Sequence, residues 1–119
     1  MSLKLRLKPH EKLLIGHAVV RNGENATTMY VENNIPILRE KDIMKEEAAT
    51  TPEQRLYFLI QLMYVDQNDL PRYLTLFREQ IVSIQGVTAE LDAELAELIP
   101  LVDNRDYYNA LKTARRIMQ

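Results

Sequence analysis

The chain opens on strict alternation. From Ser2 to Lys8, Leu3, Leu5 and Leu7 fall on one parity, and Lys4, Arg6 and Lys8 on the other. That is the period-2 signature of a strand buried on one face. Pro9-His10 breaks this strand, and extended segments follow over Lys12 to Ile15 and His17 to Val20, punctuated by Gly16. Asn22-Gly23 is then a strong hairpin signal, because both turn residues tolerate positive φ. Thr27 to Val31 reads as the returning strand, and Asn33-Asn34 as another turn. Ile35 to Leu38 is a last strand that Pro36 places at an edge or a start. These about five short strands form an antiparallel unit too small to be stable alone.

At Thr51 the period changes. Thr51-Pro52-Glu53-Gln54 has the capping-box form, with Thr at N-cap, Pro at N1 and Gln at N3. Behind it, nine of the ten residues from Leu56 to Val65 are apolar, Gln61 being the exception. A helix apolar nearly all round is expected to be central and buried on most faces, partly against a second subunit. Asp69 or Asn68 caps the next helix, whose stripe is Leu70, Tyr73, Leu74, Phe77, Ile81 and Ile84, and Gly86 ends it. Thr88 starts a short acidic helix with Leu91, Leu95 and Leu98 on one side, stopped by Pro100. Asp103 caps a last helix lined by Tyr107, Leu111, Ala114 and Met118, and Arg115 and Arg116 suit its C-terminal end. The expected fold class is α+β. Residues 1–45 would form the small antiparallel β unit and 46–119 three to four α-helices, all in one compact folding unit.

Charge sharpens this division. Residues 1–45 hold eight Lys/Arg against five Asp/Glu, whereas residues 46–119 hold seven against twelve. A polyanion would meet the first part and be repelled by much of the second. Successive outward cations on the first strand lie roughly 6.6 Å apart, twice the strand rise. That spacing is close to the phosphate repeat of a nucleic acid strand, so the row can follow a backbone. The same row would equally guard an edge strand against aggregation.

Enzymatic chemistry is hard to find. The chain has no cysteine, which excludes disulfides and thiolate sites and suits a reducing cytoplasm. His10 and His17 have no third ligand at metal spacing. Gly16, Gly23 and Gly86 are isolated, and neither Ser2 nor Ser83 sits in a nucleophile motif. Glu90 and Glu94 lie on a helix that reads as solvated, with no buried partner to tune them. No apolar run reaches the roughly 18 residues of a spanning helix, and the N-terminus has no signal-peptide h-region. A cytoplasmic, non-enzymatic protein without cofactor or metal is expected.

At Leu38-Arg39-Glu40-Lys41-Asp42-Ile43-Met44 the sequence resembles the FlbT family of flagellar regulators. Leu3-Lys4-Leu5-x-Leu7-Lys8-Pro9-x-Glu11-Lys12, Ala18-Val19-Val20-x-Asn22-Gly23 and Thr50-Thr51-Pro52 match it as well. So do Tyr57-Phe58, Met63-Tyr64-x-Asp66 and Asp106-Tyr107-Tyr108-x-Ala110-Leu111. The matches run in register along essentially the whole chain. His10 is a departure, standing where the family usually has Gly. The resemblance implies a post-transcriptional repressor of flagellum biogenesis acting on the 5′ untranslated region of flagellin messenger RNA and promoting its decay. An activating role is also attributed to some members. FlaF belongs to the same circuit, and FlaF and flagellin are the protein partners it suggests.

The first 45 residues also resemble the carbon storage regulator family, through Glu11-Lys12-Leu13-Leu14-Ile15-Gly16 and Ile37-Leu38-Arg39-Glu40-Lys41-Asp42-Ile43. Those proteins are small five-stranded dimers that block ribosome binding sites. In them RNA lies along the first strand and the Arg that follows the last strand, contributed by two subunits. Residue by residue the match covers the first strand, Leu3 to Leu7, and Arg39, with His10 standing where that family has Gly, and it implies a homodimer. Taken with the outward cation row, the candidate RNA contacts are Lys4, Arg6, Lys8, Arg39 and Lys41. Arg39 can fork onto phosphate or a guanine edge as Lys cannot, or it pairs with Glu40 or Asp42. Tyr30 either stacks on a base or belongs to the core. The alternative function is a protein-binding regulator that acts through flagellin or FlaF rather than RNA.

Overall fold

Alternation becomes burial in the first strand, β1 (Leu3–Leu7): Leu5 and Leu7 are buried and Lys4 and Arg6 are exposed. Leu3, on the same parity as the buried pair, is half exposed. The computed structural model describes residues 2–119, in two compact units, Met1–Ile43 and Met44–Gln119.

In the first unit β1 pairs antiparallel with β4 (Thr27–Val31), placing Leu5 opposite Met29 and Arg6 opposite Thr28. A second sheet has the order β3-β2-β5, with β2 (Lys12–Ile15) between β3 (Ala18–Arg21) and β5 (Ile37–Arg39). Leu13 of β2 is fully buried and clusters with Leu5 and Leu7. Ile15, Val20, Met29, Val31 and Ile37 pack around them. One apolar layer thus serves both sheets, as neither could bury a face alone.

Asn22-Gly23 does not close a hairpin. The strand after it pairs with β1, and β3 pairs with β2. Instead, the Asn22 side-chain amide donates to the Lys8 and Asn25 carbonyls at 2.8 and 2.9 Å, and the Asn22 N–H donates to the Glu11 carbonyl. His10 N–H in turn donates to the Gly23 carbonyl. These bonds dock the 22–26 connection onto the Lys8–Glu11 turn, and neither Asn22 nor Gly23 takes positive φ. The tight hairpin turn is Gly16-His17, between the paired residues Ile15 and Ala18. Gly16 has φ 58°, at the position where two-residue II′ loops take glycine. His10 has φ 62°, a left-handed conformation that costs a side-chain-bearing residue and suits glycine.

The second unit is helical. Helix α1 (Pro52–Val65) starts at the expected capping box. Thr51 Oγ1 accepts from the Gln54 N–H at 3.1 Å, and Gln54 Oε1 accepts from the Thr51 N–H at 3.0 Å. It packs against both α2 (Leu70–Ile84) and α4 (Tyr107–Met118), so it is central to the unit, and α3 (Ala89–Asp103) packs on α4. Gln61, the polar exception in α1, is buried and exchanges two hydrogen bonds with the Met44 backbone, at 2.8 and 2.9 Å. Tyr73 of α2 donates to Asp66 Oδ2 at 2.7 Å. That bond, with burial, pushes the tyrosine pKa up to about 12. Among the described residues, five strands followed by four α-helices make an α+β fold.

One expected helix start holds its place without its cap bond, and two other expected boundaries move. Asp69 occupies the N-cap position of α2 without a side-chain cap, its carboxylate meeting Arg72 instead at 3.3 Å. Pro100 does not stop α3, which runs on to Asp103. The buried face Leu95, Leu98 and Val102 continues across Pro100, which is itself exposed. Packing of that stripe outweighs the one backbone bond the proline removes. Asp103 is therefore the last residue of α3 rather than a cap, and Asp106 precedes α4. Arg105 at φ 59° closes α3, its N–H reaching Val102 O and that of Asp106 reaching Leu101 O. This is the Schellman arrangement, with Arg where Gly is usual.

Candidate nucleic-acid interface

β1 presents its cations because Leu5 and Leu7, on the opposite parity, are committed to the core. Lys4 and Arg6 are exposed on one parity of the strand, and Lys8, also exposed, follows one residue past its end. Among the described residues, no ion pair engages Lys4, Arg6, Lys8 or Lys41. Lys41 is exposed in a 3₁₀ turn spanning Glu40–Asp42, directly after β5.

Arg39 is placed differently. It ends β5, and its guanidinium forks onto Glu11, Nε to Oε2 at 3.0 Å and Nη2 to Oε1 at 2.9 Å. The same Nη2 donates to the backbone carbonyl of Arg6 at 2.6 Å. Sequence suggested Glu40 or Asp42 as its ion partner; the carboxylate that meets it lies 28 residues earlier. Glu40 instead accepts from the Lys12 N–H at 2.6 Å. Asp42 adds a weaker electrostatic pull on Arg39. Arg39 thereby staples the end of β5 to β1, beneath the Lys4/Arg6 row. Glu11 also accepts from the Lys8 N–H at 2.9 Å, fixing the turn that carries Lys8.

The Arg39 hydrogen bonds and then the Lys8 backbone bond hold the Glu11 carboxyl below its ordinary value of 4.5, while Glu11 in turn raises Arg39. A carboxylate whose folded pKa is depressed contributes stability that is present above the unfolded pKa. That stability is lost as pH falls through the lower folded value. Glu11→Gln should therefore destabilise the protein by about 1 kcal/mol at neutral pH, the half-open position of Arg39 weakening the pair. The variant's deficit should shrink as pH drops below the ordinary carboxylate range. Urea unfolding at pH 7 and pH 3 measures both, and equal deficits at the two values would remove the ion pair from this role.

Sequence alone missed Glu11, because nothing in its spacing points to Arg39. It left Tyr30 open between stacking on a base and joining the core; the residue is 58% exposed. Tyr30 stands directly opposite Lys4 in the β1–β4 ladder. Among the described residues, no group of His, Asp and Glu could hold a metal ion, and no helix is long and apolar enough to cross a membrane.

The family model described as "Flagellar protein FlbT" matches residues 3–119. A probable flagellum biosynthesis repressor protein FlbT from Caulobacter sp. (strain K31) is 37% identical over 122 residues, covering 100% of this chain and 92% of the relative. The corresponding protein of Rhodopseudomonas palustris (strain TIE-1) is 34% identical over 123 residues, covering 100% and 94%. The flagellum biosynthesis repressor protein FlbT of Caulobacter vibrioides (strain ATCC 19089 / CIP 103742 / CB 15) is 34% identical over 122 residues, covering 100% and 86%. No solved structure matches significantly.

Proposed function

This chain belongs to the FlbT family, and from that premise we propose that it is a cytoplasmic, non-catalytic repressor of flagellum biosynthesis that binds the 5′ untranslated region of flagellin messenger RNA. The exposed Lys4/Arg6/Lys8 row, left without ion-pair partners among the described residues, is the observation that carries this reading. Cations spaced along one strand can neutralise successive phosphates and release their counterions. The leader offers single-stranded loops, where proteins read RNA sequence. Bound there, the protein occludes translation initiation and leaves the message open to cellular nucleases. Lys41 adds one exposed cation just after β5, between Glu40 and Asp42. Arg39 holds the strand that carries the row, and it contacts RNA only if a phosphate displaces Glu11. A homodimer would present two such rows to one leader.

A second reading has its own support. A cleft of about 450 Å³ in the helical unit is lined by Phe58, Leu59, Leu62 and Leu76, with Arg55 and Arg72 also on its wall. That surface suits a protein partner, flagellin or FlaF, with message control being indirect. Titration of the purified protein with leader RNA, and separately with flagellin and FlaF, separates the two. Sub-micromolar RNA binding that depends on sequence is expected. RNA-blind binding to either protein would replace the first reading with the second.

A further inference from the structure

Tyr30 is an exposed aromatic residue within β4. β4 alternates partly buried Met29 and Val31 with exposed Thr28 and Tyr30. The outer parity of β4 therefore shares a face with the outer parity of β1. On that face Tyr30 lies across from Lys4, and Thr28 across from Arg6. Directly opposed residues hold their Cβ atoms about 5 Å apart. Among the described residues, no hydrogen bond or ring contact engages the Tyr30 side chain. Aromatic rings left exposed on a sheet beside cations have the composition of a single-strand platform: bases stack on the ring while the cations track the phosphates.

We propose that Tyr30 is a base-stacking platform for single-stranded RNA whose backbone runs along Lys4, Arg6 and Lys8. This rests on the RNA-binding reading above and adds a non-ionic contact to it. Lys4 takes a phosphate while the neighbouring ring takes a base. Thr28, the next residue on that face, is small and stands across from Arg6. Stacking tolerates any base because each has a π face, so Tyr30 supplies affinity, and sequence is read elsewhere. A tyrosine placed here only for its strand preference would bind nothing.

The chain contains no tryptophan, so Tyr30→Trp introduces a single fluorescent reporter at this position. Titrated with transcribed flagellin leader RNA, that variant should bind at least as tightly as the parent, with its fluorescence quenched in step with binding. Tyr30→Ala should lose about tenfold or more in affinity at an unchanged slope against salt, and Tyr30→Phe should retain most of the binding. Parent-like affinity in Tyr30→Ala together with an unquenched Tyr30→Trp overturns the platform while leaving RNA binding intact. A parent protein that fails to bind the leader overturns the RNA reading itself. Far-ultraviolet circular dichroism of each variant verifies that the fold is kept.

Discussion

Lys4→Glu combined with Arg6→Glu should weaken binding to the flagellin leader by about 100-fold or more, and flatten the slope of log affinity against log salt by about 1.4. The slope follows from removing two phosphate contacts on a single strand, at about 0.7 each. The larger loss in affinity follows from reversal rather than removal, since two carboxylates then face the phosphates the cations had met. Both side chains are exposed and on the outer parity of β1, so thermal stability should change little. Electrophoretic mobility shifts across a salt series measure affinity and slope together. Unchanged binding by this folded double variant would refute the β1 interface.

Leu13→Ala should be the most damaging single change in the first unit, at about 3 kcal/mol. Leu13, on β2, is fully buried and clusters with Leu5 and Leu7 of β1, so its side chain serves both sheets. Its truncation removes apolar contacts and leaves a cavity that paired strands cannot collapse to fill. A unit spanning Met1–Ile43 has little other apolar area to offset that loss. Urea unfolding should show a lowered midpoint, and RNA affinity should fall through partial unfolding with the salt slope kept. A shift below about 1 kcal/mol would mean that the two sheets do not depend on a shared core.

The contrast between these variants separates contact from scaffold. One alters the slope and spares the fold; the other spares the slope and lowers the fraction folded. Arg39 belongs between them. Its fork onto Glu11 and its bond to the Arg6 carbonyl tie the end of β5 to the strand that carries the row, which makes it a positioning residue.

Much of this molecule was written locally. The parity of Leu5 and Leu7 against Lys4 and Arg6, the Thr51 capping box, the Thr88 cap and the strand over Thr27–Val31 all stand where periodicity and end signals put them. Each depends on residues a few positions apart, and so can be read from a short window. Family resemblance reached further along the chain, yet it says nothing about which carboxylate meets Arg39.

What the tertiary structure decided were choices between partners far apart in sequence. β4 joined β1 rather than β3, because Asn22 spends its amide on the Lys8 and Asn25 carbonyls instead of a tight turn. Arg39 found Glu11 across 28 residues. Pro100 stayed inside α3 because Leu98 and Val102 are buried on either side of it. Tyr30 gained its place opposite Lys4 only once β1 and β4 were in register. Local periodicity specifies which face of an element is apolar; which elements then meet is settled by closing a common core, and that energy is invisible in any short stretch of sequence.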